Sequence, residues 1–133
     1  MMQPETGDRK VYLYETPTGS AVVLESLRTL ERSSPAAFAA IRTGIGMLET
    51  FGPDPGLNRF KRLRHVPGGR ELWELRVQSK PAFRVLFAPI PGTRDLILLH
   101  VVAKAEMEKG PQRQINLALD RLDSWLDVLR GSD

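Results

Sequence analysis

Three short segments in the second half of the chain limit its possible folds more than any other feature. They are ELWELRVQS, AFRVLFAPI and DLILLHVVAK, at residues 71–79, 82–90 and 95–104. Arg76 lies between Leu75 and Val77, and Arg84 has apolar neighbours in the same way. Because successive side chains of a β-strand point to opposite faces, each arginine lies on the face opposite to its apolar neighbours. The pattern predicts three consecutive strands that form a mostly antiparallel sheet.

The positive charge of the chain is concentrated in one segment. Residues 59–84 contain eight Lys and Arg side chains but only two carboxylates, a balance of +6. The whole chain carries +3, so the remaining residues sum to −3. A basic surface confined to one part of a fold is typical of a protein that binds a polyanion such as RNA or DNA. The alternative is that these side chains only cover the solvent-exposed side of a sheet.

Composition excludes several classes of protein. A length of 133 residues with 41% hydrophobic content predicts one globular domain, spanning residues 1–133. The chain has no cysteine, which excludes disulfides and thiolate metal sites, and its two histidines offer little to a metal. No apolar run reaches the roughly 18 residues of a membrane helix, and the polar N-terminus has no hydrophobic signal core. We therefore expect a cytoplasmic protein without a metal or another cofactor.

The first half of the chain predicts a strand followed by two helices. Lys10–Glu15 contains β-branched and aromatic residues and ends at a Thr-Pro-Thr-Gly turn, which indicates a strand. Ser20 is a candidate N-cap for the first helix, Ser34 followed by Pro35 marks the start of the second, and Gly52 ends it. Apolar residues at helical spacing form one stripe on each helix: Val23, Leu24, Leu27 and Leu30, then Phe38, Ile41, Ile45, Leu48 and Phe51.

The connection between these helices and the three strands is long. Residues 53–70 are rich in proline, glycine and basic side chains, with room for one short strand near residues 60–63. Long connections inside a compact domain usually bind a ligand or move, although a plain surface excursion is the alternative.

A final amphipathic helix follows Gly110 and Pro111 and is expected to pack on the sheet. Its apolar stripe consists of Ile115, Leu119, Leu122, Leu126 and Leu129. The predicted fold class is therefore α+β. We expect a small, mostly antiparallel sheet with an N-terminal helical hairpin and a C-terminal helix, in the order β-α-α-β-β-β-α.

Four phrases in the second half of the chain carry a resemblance to a known family. In chain order they are Leu72-Trp73-Glu74-Leu75-Arg76-Val77, Phe83-Arg84-Val85-Leu86-Phe87, Leu98-Leu99-His100 leading to Lys104, and Lys109-Gly110-Pro111 before a helix with Ala118-Leu119 and Arg121-Leu122. With the order of elements, they resemble the HigB/RelE superfamily of bacterial toxins, and most of all its phage-associated HigB branch. The resemblance implies a RelE-like fold. The chain departs from the family at Ala103-Lys104-Ala105, and it has no tyrosine near its end.

The resemblance implies the toxin of a type II toxin–antitoxin system, an endoribonuclease that acts as an mRNA interferase and inhibits translation. Family members usually cut messenger RNA on the translating ribosome and are silenced by a cognate antitoxin, here expected to be a DNA-binding helix-turn-helix protein. Cleavage through the RNA 2′-hydroxyl needs a base, cations near the phosphorane oxygens and an acid, but it requires no metal. Arginine suits the second task, because its planar guanidinium can hold two phosphate oxygens and stays charged.

The matching positions imply candidate catalytic residues. Arg84 would stabilise the phosphate in the transition state, with Arg76 beside it. Lys104, expected at the end of the last strand, would position the phosphate or neutralise the leaving group. The RNA-binding candidates are further basic residues in the connection at 53–70, in the turn after the first of the three strands and in the segment after the last strand. They are Arg59, Lys61, Arg62, Arg64, Lys80 and Lys109.

The candidate residues have structural alternatives. Arg76 shares its strand face with Glu74, so the two could form a surface ion pair worth under about 1 kcal/mol. His100 has the same strand parity as Lys104, but its apolar neighbours favour a hydrogen-bonded core histidine over a catalytic base. Glu74 is the only well-placed carboxylate for base chemistry, and it stays unassigned.

A non-catalytic protein is the alternative function. The same RelE-like fold could hold RNA, the ribosome or a partner protein, with the arginines serving recognition alone. This alternative explains equally well why the sequence shows no clear acid–base pair. Only a measurement of activity separates it from the enzyme, because both predict a basic surface and affinity for RNA.

Overall fold

The three alternating segments fold as adjacent strands in the middle of a five-stranded sheet. The computed structural model describes residues 9–54, 56 and 58–131. In chain order the elements are β1 (Val11–Leu13), α1 (Val22–Ser33), α2 (Pro35–Phe51), β2 (Phe60–Arg62), β3 (Trp73–Val77), β4 (Phe83–Pro89), β5 (Leu96–Ala103), α3 (Lys104–Lys109) and α4 (Pro111–Gly131). None of the helices in these described ranges is both long enough and apolar enough to cross a membrane.

The sheet has the strand order β1-β5-β4-β3-β2. The pairs β2–β3, β3–β4 and β4–β5 are antiparallel, and β1 pairs parallel to β5 at one edge. The α+β class and the mostly antiparallel sheet are therefore confirmed. β2 is the short strand predicted near residues 60–63, and it lies at the other edge of the sheet.

The helical hairpin packs on the face of the sheet that carries Leu75, and α2 comes close to β3 at Gly44. A Cβ atom added to Gly44 would lie 2.8 Å from Cδ2 of Leu75 on β3. The glycine therefore lets the backbone of α2 approach the sheet closely. α2 continues through Gly44 and Gly46, because tertiary packing of its apolar face outweighs a propensity cost of about 1 kcal/mol for each glycine.

The predicted helix starts are right for α2 and wrong for α1. Ser34 occupies the N-cap position of α2, with proline directly after it. In contrast, α1 begins at Val22 with Ala21 at its N-cap position. Ser20 belongs to the preceding turn, in which its N–H donates to Thr16 Oγ1 and its carbonyl accepts from the Thr16 N–H.

The predicted apolar stripe of α2 is correct except at its end. Ile41 and Leu48 are fully buried, but Phe51 is 61% exposed. Phe51 is the last residue of the helix, and the chain turns away at Gly52, whose φ is +73°. The end of α2 therefore extends past the surface that its middle covers.

α4 lies on the opposite face of the sheet, where polar contacts hold it in addition to buried apolar side chains. Nε2 of His100 on β5 lies 2.6 Å from Oε1 of Gln114. Arg121 donates to the carbonyl of Leu99 at 2.8 Å, and its guanidinium lies over the ring of Tyr14 at 5.4 Å. The buried apolar residues of α4 are Ile115, Ala118, Leu119 and Leu122.

His100 is a hydrogen-bonded histidine of the interface between the sheet and α4. Burial lowers its pKa below the ordinary value of 6.5, the hydrogen bond with Gln114 opposes this change, and the charge of Arg121 adds to the lowering. At neutral pH the ring is therefore neutral and donates its Nε2 proton to Gln114. This arrangement agrees with the core histidine that its apolar neighbours favour.

The segment after β5 differs from the prediction. We expected Lys104 at the end of the last strand, but β5 ends at Ala103 and Lys104 is the first residue of α3. The sequence KAEMEK consists of good helix formers, and Met107 buries its side chain in the core. The Lys104 N–H still donates to the carbonyl of Ala82 at 2.9 Å, which holds the start of α3 beside the start of β4.

Alanine substitutions at Gly44 and Gly46 test the close approach of α2 to the sheet. An alanine at Gly46 meets no atom within 4 Å, so helix propensity should raise the free energy of unfolding by about 1 kcal/mol. An alanine at Gly44 has the same propensity but collides with Leu75, and overpacking typically costs about 1–3 kcal/mol. In urea unfolding we expect Gly46→Ala to be the more stable variant. Equal stability of the two variants would contradict tight packing at Gly44.

The lowered pKa of His100 predicts how stability depends on pH. The unfolded chain binds this proton more readily than the folded protein, so the His100 contribution is complete above pH 6.5 and is lost as the pH falls through the lower folded pKa. A His100→Gln variant should lose this part of the dependence, measured as Tm between about pH 5 and 8. His65→Asn is the control, since His65 is exposed and asparagine tolerates its φ of +58°. An unchanged pH dependence in His100→Gln would show that burial of His100 does not have this effect.

Candidate nucleic-acid interface

Arg76 on β3 and Arg84 on β4 are direct cross-strand neighbours, and we call them the arginine pair. Their Cα atoms are partners in the antiparallel register. The predicted alternation holds, because Leu75 and Val77 are each 1% exposed on the other face. The side chain of Arg76 is 33% exposed and that of Arg84 is 14% exposed. The two arginines named from the sequence are thus brought together, and Arg76 is the more accessible of them.

A buried carboxylate serves both members of the arginine pair. Oε2 of Glu74 accepts a hydrogen bond from Nε of Arg76 at 3.0 Å and lies 3.8 Å from Nε of Arg84. The Glu74 side chain is only 8% exposed. The ion pair between Glu74 and Arg76 that the sequence allowed therefore forms, but its carboxylate is buried and is shared with a second strand.

A groove of about 540 Å³ lies beside Arg76, and we call it the basic groove. Its lining residues are Asn58, Phe60, Lys61, Arg62, Leu63, Arg64 and Arg76. Lys61 and Arg62 on β2 and Arg64 just after it are all exposed. A smaller recess of about 280 Å³ is lined by Ala40, Asn58, Arg59, Arg76 and Gln78. Because Asn58 and Arg76 line both cavities, the two form adjoining parts of one surface.

The loop that carries the basic groove is anchored to the rest of the fold. The Arg76 N–H donates to the carbonyl of Arg59 at 2.7 Å, which joins the loop to β3. Farther along, the guanidinium of Arg70 makes two hydrogen bonds to the carboxylate of Asp123 on α4, at 3.1 and 2.5 Å. Between these points Val66 is 9% exposed and belongs to the core. Backbone, side-chain and core contacts therefore hold this segment against the rest of the fold.

The lysines near α3 do not line the basic groove. Nζ of Lys104 lies 4.0 Å from Glu108, and its side chain is 46% exposed. Nζ of Lys109 lies 3.7 Å from Glu106, and its side chain is 75% exposed. Both lysines remain available to a large ligand, because exposed pairs one helical turn apart are weak.

The two remaining RNA-binding candidates differ in their surroundings. Nη1 of Arg59 donates to Sδ of Met47 at 3.2 Å, so this guanidinium is partly engaged by α2. Lys80 is exposed in the turn between β3 and β4, outside the basic groove. Arg59 therefore contributes to the wall of the smaller recess, and Lys80 to the outer surface.

Sequence reasoning missed the part that Asn58 plays and left Glu74 unassigned. Asn58 lines both cavities and has a φ of +58°, a left-handed conformation that asparagine tolerates better than most residues. An asparagine two residues before a short strand was the available signal. The alternation of side chains along β3 placed Glu74 on the same face as Arg76. The contact of Glu74 with Arg84 depends on the pairing of β3 with β4.

The geometry gives the site one clear chemical capacity, the binding of anions. Within the described residues, the side-chain hydrogen bonds of Arg76 involve Nε alone, so its terminal nitrogens can still donate. Guanidinium nitrogens in this arrangement match the oxygens of a phosphate. In the same described ranges, no group of three or more His, Asp or Glu side chains could hold a metal ion.

The site and most of the fold lie within the region of a family match. No curated protein and no solved structure matches this chain significantly. A family model described as "Phage derived protein Gp49-like" (DUF891) matches residues 25–123, a region that runs from α1 into α4 and includes the arginine pair and the basic groove. Because that match spans well over half of the 133 residues, the chain belongs to the phage-derived Gp49-like protein family.

Proposed function

We propose that this protein is the toxin of a type II toxin–antitoxin system, of the HigB/RelE kind, and that it cleaves messenger RNA as an endoribonuclease. The observation that carries the proposal is the cross-strand arginine pair beside the basic groove. Membership of the Gp49-like family supports it, since that family is associated with toxins of such systems.

The proposed reaction uses the RNA's own 2′-hydroxyl as the nucleophile. A base takes the hydroxyl proton, the 2′-oxygen bonds to the adjacent phosphorus, and the bond from phosphorus to the 5′-oxygen breaks. The products are a 2′,3′-cyclic phosphate and a 5′-hydroxyl, which receives a proton as it leaves. Negative charge gathers on the phosphate oxygens in the transition state, and cations held in advance beside those oxygens lower the barrier.

The arginine pair supplies these cations. Arg76 reaches the phosphate directly from its position in the wall of the basic groove. Arg84, which is only 14% exposed, adds positive charge from its more buried position next to Arg76. Lys104 contacts the leaving group or a neighbouring phosphate from the start of α3, where its exposed side chain is only weakly paired.

The other cations bind the RNA backbone without reading its sequence. Lys61, Arg62 and Arg64 line the basic groove, and Lys80 and Lys109 extend the positive surface beyond it. Contacts of this kind release counterions, so affinity depends steeply on salt. A translating ribosome would present both the messenger and ribosomal RNA to this surface. In the cytoplasm, an antitoxin would silence the toxin by covering the same surface.

A non-catalytic RNA- or ribosome-binding protein is the second candidate, and one observation favours it. Glu74, the carboxylate beside the arginine pair, is buried and paired with both arginines, which leaves it a poor candidate for the base that an enzyme needs. The two functions differ in how activity and affinity respond to mutation. In an enzyme, Arg84→Ala and Lys104→Ala abolish cleavage and leave most of the affinity for RNA, whereas in a binding protein they change affinity or nothing.

Induction of the gene in a bacterial host tests the proposed activity. We expect the wild-type protein to arrest growth and to create new 5′ ends within translated messengers. Arg76→Ala and Arg84→Ala should each reduce cleavage by about 100-fold or more, because each removes a cation from the transition state. The matched control is Arg28→Ala, an exposed arginine on α1, which should behave as the wild type. Folded protein that causes neither arrest nor new ends would contradict the proposal.

Salt dependence tests the binding role of the basic groove. The probe is a single-stranded RNA with 2′-O-methyl riboses, which binds but cannot be cut. The double variant Lys61→Ala/Arg64→Ala should flatten the slope of log affinity against log salt by about 1.4, or about 0.7 for each lost phosphate contact. The double variant Arg28→Ala/Arg32→Ala on α1 removes the same charge from exposed positions and should keep the wild-type slope. Equal slopes for the two double variants would rule out the groove as the RNA site.

A further inference from the structure

The arginine pair poses an electrostatic problem that the fold has to solve. Arg76 and Arg84 are directly opposed on neighbouring strands. Like charges at such positions repel each other and destabilise the pairing of the strands. Burial strengthens the repulsion, because Arg84 is mostly removed from water. Without a counter-charge, the two guanidinium groups would point away from each other.

Glu74 provides that counter-charge from a fixed position. It lies on β3, two residues before Arg76 and on the same face of the strand. One of its oxygens, Oε2, lies 3.0 Å from Nε of Arg76 and 3.8 Å from Nε of Arg84. The carboxylate lies nearest the inner nitrogen of each arginine, so it does not occupy their terminal nitrogens. Arg84 is held further by a hydrogen bond from its Nη1 to the carbonyl of Phe83 at 3.1 Å.

We propose that Glu74 is a positioning residue that holds Arg76 and Arg84 in the geometry that binds phosphate. This inference rests on the proposed ribonuclease function. Glu74 is not the base that takes the 2′-hydroxyl proton. Its side chain is 8% exposed and absent from the lining of the basic groove, so it is poorly placed to reach a 2′-hydroxyl of an RNA bound there. Its role is to keep two like charges together and aimed at one ligand.

Substitutions at Glu74 separate a positioning role from the role of a base. Glu74→Gln keeps the size of the side chain and one acceptor oxygen but removes the charge. Glu74→Ala removes the charge and the acceptor oxygens together. We expect kcat for cleavage of a ribosome-bound messenger to fall about 10-fold in the first variant and about 100-fold in the second, with little change in KM. The acid limb of the pH–rate profile should keep its midpoint in Glu74→Gln, because the true base is still present. Loss of that limb would identify Glu74 as the base and overturn the proposal.

The matched control is Glu71→Gln. Glu71 accepts from the indole N–H of Trp73 at 2.7 Å, and a glutamine keeps that acceptor while removing one negative charge near the same strand. Wild-type kcat in this variant, together with reduced kcat at Glu74, would assign the effect to the shared carboxylate and not to net charge. An equal loss in both variants would overturn the proposal.

A measurement on the free protein tests the positioning without any cleavage. The Nε–H group of Arg76 should give a ¹⁵N-detected signal that exchanges slowly with water in the wild type, because it donates to the buried carboxylate of Glu74 at 3.0 Å. In Glu74→Ala this signal should exchange faster, and in Glu71→Gln it should not change. Unchanged exchange in Glu74→Ala would overturn the proposal. If wild-type protein cuts no RNA, the proposed function fails, and this signal still decides whether Glu74 holds Arg76 in place.

Discussion

Antiparallel pairing of β3 with β4 sets the position of both the core and the cationic site. The register that pairs Leu75 with Val85 directs apolar side chains toward the helical hairpin, and it also pairs Arg76 with Arg84 on the opposite face. A slip of one residue would bring the arginines into the core face and expose the apolar residues. The burial of Leu75 against α2 therefore stabilises the register that places Arg76 opposite Arg84.

Features with a short-range cause could be predicted from the sequence. Alternation of apolar and charged residues determined the faces of β3 and β4, and proline after Ser34 marked the start of α2. Features that depend on distant residues could not be predicted in this way. The carboxylate of Glu74 meets Arg84 only because two strands pair in one register. Helix α3 was missed for a related reason, since burial of Met107 favours a helix directly after β5, and Lys104 lies one residue beyond that strand.

The site combines a rigid part with a peripheral one. Arg76, Arg84 and Glu74 stand on central strands of the sheet, where neighbouring strands restrict their positions. Lys61, Arg62 and Arg64 lie on the edge strand β2 and just beyond it. Arg70, farther along the same segment, joins it to α4 through Asp123. This division suits an enzyme for a long polyanion, because general affinity for the backbone and accurate placement of one phosphate are separate requirements. Under the proposed function, loss of a peripheral cation weakens RNA binding gradually, whereas loss of a strand arginine removes the proposed cleavage.

In the proposed reaction, the RNA's own 2′-hydroxyl attacks a phosphate that the arginine pair holds. The most direct measurement uses a messenger with a single 2′-deoxyribose on the 5′ side of the mapped cut, bound to translating ribosomes. We predict that the all-ribose messenger is cut to a 2′,3′-cyclic phosphate and a 5′-hydroxyl, and that the deoxy messenger stays intact at that position. Cleavage of the deoxy messenger at the same bond would contradict the proposed mechanism.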